Sequence, residues 1–277
     1  MKRSTMNLKR ILAYSFITII AINTLTAIEV RGQESQLGEI YSTDFESEND
    51  HWKFVDEGWK IAQVTAPESD DKTSDDEAPK DSQNAKNEKP NSNETERTKF
   101  AESKEAVKTL GVLSQYIKKS KYEPPFRSPK HMAILKDKTV TDFQLDVRVH
   151  STHKDYNHRD ACLFFGYQNP SQFYYVHLGK VTDPHANQIF IVNKAARTKI
   201  SLTTTKGTPW DDNWHNVRVT RDIKSGEIKV YFDDMTTPVM TAVDKTFGWG
   251  QIGVGSFDDT ADWDDLKLLG NLHAKEK

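Results

Sequence analysis

Two groups of side chains in this chain have the types and spacing to do chemistry. The first is the run GSFDDTADWDDLKLLG, which sets Asp258, Asp259, Asp262, Asp264 and Asp265 around Phe257 and Trp263. Oxygen-rich runs suit a hard cation, but an EF-hand loop begun at Asp258 needs Gly at its sixth position and Glu at its twelfth, where Trp263 and Leu269 stand. That excludes the EF-hand and leaves the acids either as solvated strand-end residues or as ligands of another kind of site. The second group is spread over HRDACLFFGYQ, FYYVHLG and HANQIFIV. If Tyr174, Val176 and Leu178 point into a core, strand alternation sends Phe173, Tyr175 and His177 to the opposite face. His158, Arg159 and Asp160 lead into one neighbouring strand, and His185, Asn187 and Gln188 into the next. Flat rings beside imidazole, guanidinium, carboxylate and amide groups suit a saccharide, because rings stack on a pyranose while polar groups bind its hydroxyls. The candidate ligand-binding residues are therefore His158, Arg159, Asp160, Tyr175, His177 and Gln188. Each has a plainer reading: a structural histidine, a local Arg159–Asp160 ion pair, or tyrosines present for their β propensity. The CLFF run contains no polar residue to set its register, so the facing of Arg159 and Asp160 stays open.

The elements that must hold these residues are strands. FQLDVRV alternates Phe143, Leu145, Val147 and Val149 with Gln144, Asp146 and Arg148, the period of a half-buried strand. ACLFFGYQ, FYYVHLG, NQIFIVN, TKISLTT, WHNVRVTRD, IKVYFDD, GQIGVGSF and DWDDLKLLG follow, separated by turn-forming segments such as NPSQ, TDPHAN, KGTPWDDN and DIKSGE. About ten strands at hairpin spacing predict an all-β chain with two antiparallel sheets packed as a jelly-roll sandwich. In YEPPFRSPKH the prolines predict an extended rim. Trp210, on a turn, is expected to be available for stacking, and Trp214, at the head of a strand, to lie in the core.

Upstream, Lys2, Arg3, Lys9 and Arg10 precede an apolar run from Ile11 to Ile22, the order of a secretory signal peptide over 1–32, cut before Gln33 or at a second position near Ala27. That run is shorter than the ~20 residues of a spanning helix, so the expectation is an exported protein, secreted or periplasmic, with no stable membrane insertion after cleavage. Residues 66–99 contain no large aliphatic side chain and too few apolar groups to offset ordering entropy, and read as a disordered polar insertion within one domain spanning 38–270. The segment before it is too short to hold a core of its own. A short helix over 95–110 is expected to close the insertion, and 271–277 to form a tail. A net charge of −3 provides no basic field for nucleic acid. Cys162 is the only cysteine, so no internal disulfide supports the fold, and its apolar setting predicts a buried, inert thiol.

DFESENDHWKF, NWHNVRVTRDIKSGEIKVYFDD and GQIGVGSFDDTADWDDLKL together resemble the concanavalin A-like lectin/glucanase superfamily, especially its laminin G-like modules, from about Gly38 to Gly270. The resemblance implies a carbohydrate-binding sandwich for a polysaccharide or oligosaccharide, and no organic cofactor. It also implies a structural calcium held between the chain ends, at the matching Asp44, Glu46, Asp264 and Asp265. The same fold carries enzymes as well. The Glu-x-Asp-x-x-Glu triplet of laminarinase-type hydrolases is absent, and Glu227 and Asp233 in GEIKVYFDD do not replace it. Alginate-lyase-type sandwiches use Tyr and His with Arg or Gln, types present in Tyr175, His177, Arg159 and Gln188, but Phe190 stands where their Gln-Ile-His strand has histidine. The strand pattern is also similar to that of 3-keto-disaccharide hydrolases. A carbohydrate-active enzyme using His158, Tyr175 and His177, either a glycoside hydrolase or a polysaccharide lyase, is the alternative expectation.

Overall fold

A computed structural model describes residues 37–47, 50–65 and 109–274. The expected signal peptide with its cut sites, the polar insertion, most of the closing helix and the last three residues lie outside these ranges. Thr109 and Leu110, assigned to that helix from the sequence, instead begin a strand.

The described residues form sixteen strands. In chain order they are β1 (Gly38–Thr43), β2 (Trp52–Phe54), β3 (Trp59–Thr65), β4 (Thr109–Gln115), β5 (His131–Leu135), β6 (Val140–Ser151), β7 (Cys162–Asn169) and β8 (Gln172–His177). There follow β9 (Gln188–Asn193), β10 (Thr198–Lys199), β11 (Ser201–Thr204), β12 (His215–Arg221), β13 (Glu227–Phe232), β14 (Met240–Val243), β15 (Gln251–Ser256) and β16 (Ala261–Leu272). They make an antiparallel two-sheet sandwich. The first sheet runs β11-β14-β13-β12-β6-β16-β4-β3 with β1 on β16, and the second runs β10-β9-β8-β7-β15-β5-β2. The TKISLTT run, which reads as one strand, is divided after Lys199: β10 pairs with β9 in the second sheet and β11 with β14 in the first.

The alternation of β6 works as its sequence requires. Phe143, Leu145, Val147 and Val149 are buried, and the strand lies between β12 and β16 with Val149 opposite both His215 and Trp263. The first and last of the described strands meet in one ladder, Gly38 opposite Gly270 and Thr43 opposite Leu266. Strands β3 and β4 pair from Trp59–Gln115 to Thr65–Thr109, so residues 66–108 join two neighbouring strands at one end of the sheet. Gly111 of β4 is needed for a close approach: a Cβ there would sit 2.2 Å from the Phe45 carbonyl oxygen.

Between the sheets lies the main core, where Trp263, Phe165, Tyr174, Val176 and Leu178 meet the inward residues of β6 and β12. A second apolar layer covers the far side of the second sheet. It contains Met132, Cys162, Phe164, Phe173, Tyr175 and Phe190, and Tyr122 and Phe126 from the 116–130 segment pack on it. This explains the uninterrupted CLFF and FYYV runs, since a strand buried on both faces has no polar period. The face on which a saccharide was expected to bind is therefore covered over most of its length. The proline-bearing segment is no outer rim but lies across the sheet, and only one end of that face remains accessible.

Candidate functional site

At that end, the loops around β7, β8, β9 and β15 enclose a cleft of about 420 Å³. Its lining joins Lys118 and Arg127 of the covering segment to Tyr156 and His158 before β7, Asp160, His177 at the end of β8, Asp183 and His185 between β8 and β9, Arg197 before β10, and Phe257 with Asp258 after β15. Three of the six residues expected from the sequence, His158, Asp160 and His177, are among them.

Asp160 and His177 form the floor. Asp160 stands two residues before Cys162, and Cys162 is directly opposite His177 in the β7–β8 ladder, so strand parity directs all three to one face. Asp160 is 1% exposed. Its Oδ2 lies 3.1 Å from His177 Nε2 and accepts the Phe257 backbone N–H at 2.9 Å. Its Oδ1 is buried with no hydrogen-bond partner. On the far side of the imidazole, Nδ1 lies 2.9 Å from the His185 carbonyl oxygen, which makes Nδ1 a donor and fixes the ring. Asp183 shapes the adjacent turn by accepting the backbone N–H groups of His185 and Ala186. Phe257 is a flat wall, 5.9 Å from the His177 ring.

The other three expected residues fall elsewhere. Arg159 is turned away from the cleft and buried, donating to Ser151 Oγ, to the Ser151 carbonyl and to Asp212, so its partner is not Asp160. Tyr175 is sealed beneath the cleft, stacked on Phe190 at 5.1 Å, and its hydroxyl accepts from Arg197. Burial, the largest cause, drives its phenol pKa far upward, so it is no proton acceptor near neutrality. Gln188 is buried and holds the β8–β9 turn by donating to Thr182 and to the Asp183 carbonyl. Trp210, expected to be open for stacking, is in the core with Nε1 donating to the Leu178 carbonyl at 2.7 Å. Trp214, expected in the core, is half-buried beneath Arg148, 5.0 Å from its guanidinium. Cys162 is buried, and burial followed by the neighbouring Asp160 raises its thiol pKa well above the ordinary value.

The C-terminal aspartates divide. Asp258 and Asp265 are exposed, whereas Asp259, Asp262 and Asp264 are buried, so the reading of all five as solvated strand-end residues is not met. Asp259 accepts Tyr156 Oη at 2.6 Å and the Asp160 backbone N–H at 3.0 Å, and so joins the cleft wall to its floor. Burial raises the pKa of Asp259 and Asp262 and brings that of Asp264 up to about 6. A carboxyl whose folded pKa lies above its unfolded value holds its proton more tightly in the native state. Its stabilising contribution is present below about pH 4, the unfolded value, and is lost as pH rises through the folded pKa. Asp262→Asn is therefore expected to raise the melting temperature at pH 7 and to flatten the fall in stability between pH 4 and 7, as a thermal-unfolding series across that range would measure.

Asp44, Glu46, Asp264 and Asp265 do gather near the β1–β16 junction, but as arranged they do not fit a calcium cage. Arg148 Nη1 lies 3.0 Å from Asp265 and 3.7 Å from Asp264, in the place of a cation. Glu46 Oε1 accepts the Gly111 N–H, Asp44 Oδ1 the Glu46 N–H and Asp264 Oδ1 the Asp265 N–H. No three of the four residues bring ligand atoms within 4.8 Å of one another. A shallow depression of about 440 Å³ beside Asp44 and Asp265 has no aromatic wall.

The cleft residues that the sequence reading missed are Lys118, Arg127, Tyr156, Asp183 and Arg197, while Phe257 and Asp258, named with the C-terminal acids, also line it. They come from separate loops, and only their shared position on the fold identifies them.

Fold and site together define an all-β, two-sheet antiparallel sandwich with a polar, aromatic-walled cleft at one end of the second sheet. No family model matches the chain, and no curated protein does. Among solved structures the chain is similar to the carbohydrate-binding module CBM66 from Bacillus subtilis, at 21% identity and a TM-score of 0.41 over 52% of this chain and 84% of that one. It is also similar to a Bacillus subtilis protein of unknown function with a galectin-like fold, at 12% identity and a TM-score of 0.44 over 86% of this chain and 99% of that one. A third likeness is to the winged bean acidic lectin complexed with methyl-α-D-galactose, at 11% identity and a TM-score of 0.38 over 59% and 88% of the two chains. These are likenesses of strand layout and assign no ligand.

Proposed function

We propose that this chain is an exported carbohydrate-binding module whose saccharide enters the cleft between Phe257 and the Asp160–His177 floor. The observation that carries the reading is the buried Oδ1 of Asp160, which has no partner and belongs to a residue lining the cleft. A buried carboxylate oxygen left unbonded costs stability, and a sugar hydroxyl is a donor of the right size and polarity to complete it. Phe257 provides the apolar face on which a sugar ring packs. Around them His158, His185 and Tyr156 add further hydrogen-bonding groups.

A polysaccharide panel run by affinity-gel retardation tests the proposal. Retardation without release of reducing ends and without absorbance from an unsaturated uronide is the expected result. Product release would favour the enzyme reading, for which the Asp160–His177 pair is the one supporting arrangement. A blank panel would overturn both.

A further inference from the structure

We infer that Arg127 and Arg197 form an anion-recognising subsite in the cleft, so that the saccharide bound there carries a carboxylate or sulfate substituent. This rests on the saccharide reading of the same cleft and adds the chemical class of the ligand.

The described residues include six arginines. Arg148, Arg159 and Arg218 each pair with aspartate. Arg221 donates to the carbonyls of Gly226 and Phe247. Arg127 and Arg197 alone have neither a carboxylate nor a carbonyl for their side chains among the described residues, and both line the cleft. Arg197 is held in place. Its guanidinium lies 4.8 Å from the Phe190 ring centre and 4.5 Å from that of Phe257, and Nη1 donates to Tyr175 Oη at 2.9 Å. Its Nε is buried with no partner. Arg127 also lies over the Phe257 ring, 5.9 Å from its centre. The two are tied through the backbone, where the Arg197 N–H donates to the Arg127 carbonyl.

A half-buried guanidinium with one neutral acceptor is an incomplete arrangement, since desolvated charges are ordinarily paired. The carboxylates nearby do not complete it. Asp160 is bound by His177 and the Phe257 N–H, and Asp183 by the turn it caps. Asp258 is exposed. Lys118 is also committed, to His153 at 2.8 Å and to Asp259 at 3.7 Å. A planar guanidinium pre-set by stacking matches the paired oxygens of a carboxylate or a sulfate ester.

The test uses matched glycans that differ in charge and is run by isothermal titration on the whole exported chain. The carboxylate pair is oligogalacturonate and its methyl ester; the sulfate pair is a κ-carrageenan oligosaccharide and its desulfated form. The acidic member of one pair is expected to bind about tenfold or more tightly than its neutral counterpart, and whichever pair shows this identifies the anion. Arg127→Gln, an exposed substitution that leaves the core untouched, is expected to abolish that preference at unchanged melting temperature, and Arg197→Gln to abolish it with a lowered melting temperature, because it also removes the hydrogen bond to the buried Tyr175 hydroxyl. Equal affinity for acidic and neutral members, or a preference that survives both substitutions, overturns the anion subsite and leaves the saccharide cleft standing. No binding of any of the four, with a blank wider panel, overturns both.

Discussion

Asp160→Asn is expected to weaken glycan binding at least about tenfold, and Asp160→Ala to abolish it while also destabilising the fold by on the order of 3 kcal/mol. The carboxylate's Oδ2 serves three structural partners, His177, the Phe257 N–H and the Cys162 thiol, and its Oδ1 is buried with no partner. Asparagine keeps the size and one acceptor, but it replaces the other oxygen by a donor and removes the charge facing the imidazole. Alanine leaves the imidazole nitrogen and the backbone N–H without their partner, and each such buried loss costs ~1–3 kcal/mol. Phe257 would then be released from its position, so wall and floor would be lost together. Calorimetric binding well below the melting temperature separates the two effects. Undiminished affinity of the folded Asp160→Asn protein would remove the carboxylate from recognition and sink the proposed site.

Trp263 should show the largest effect on stability alone. It is fully buried near the start of β16, opposite Val149 of β6 on one side and Leu113 of β4 on the other, and so anchors the middle of the first sheet. Truncation to alanine is expected to cost ~3–5 kcal/mol, the range for large aromatic side chains in close-packed cores. Its indole Nε1 is buried without a partner, which makes the ring more useful to the fold than its N–H group. Trp263→Phe should therefore cost much less than alanine, within about 1.5 kcal/mol, because the smaller ring also removes an unsatisfied donor. Urea unfolding of both variants measures this through midpoints at an unchanged slope. Equal losses for Phe and Ala would show that the indole makes an interaction beyond packing.

Much of the fold was legible from side-chain periodicity. The alternation in FQLDVRV marked β6 and its inward face, and the parity of FYYVHLG correctly sent Tyr174, Val176 and Leu178 to the core and Phe173, Tyr175 and His177 to the other side. The meeting of the two chain ends was also expected, and β1 does lie along β16. The TKISLTT run was misjudged because a strand that changes sheets keeps its β-rich composition while its neighbours change.

The candidate site was less legible. His158, Asp160 and His177 were named and meet in the cleft, whereas Arg159, Tyr175 and Gln188 serve the structure around it. Strand parity states which face a side chain takes but not what covers that face. Nothing local in YEPPFRSPK says that Tyr122 and Phe126 will lie over the sheet and seal Tyr175, or that Arg127 will stop beside Arg197. Trp210 read as exposed because it stands on a turn, but the turn folds inward and the Leu178 carbonyl accepts its indole N–H. By itself, then, the sequence determined most of the strands from β6 onward, the inward faces of those with a clear alternation and the two-sheet class, because a period of two is written into successive residues. The covering of the second sheet, the single open end and the set of charges gathered there were decided only by tertiary structure, because they depend on where loops distant in the chain come to rest.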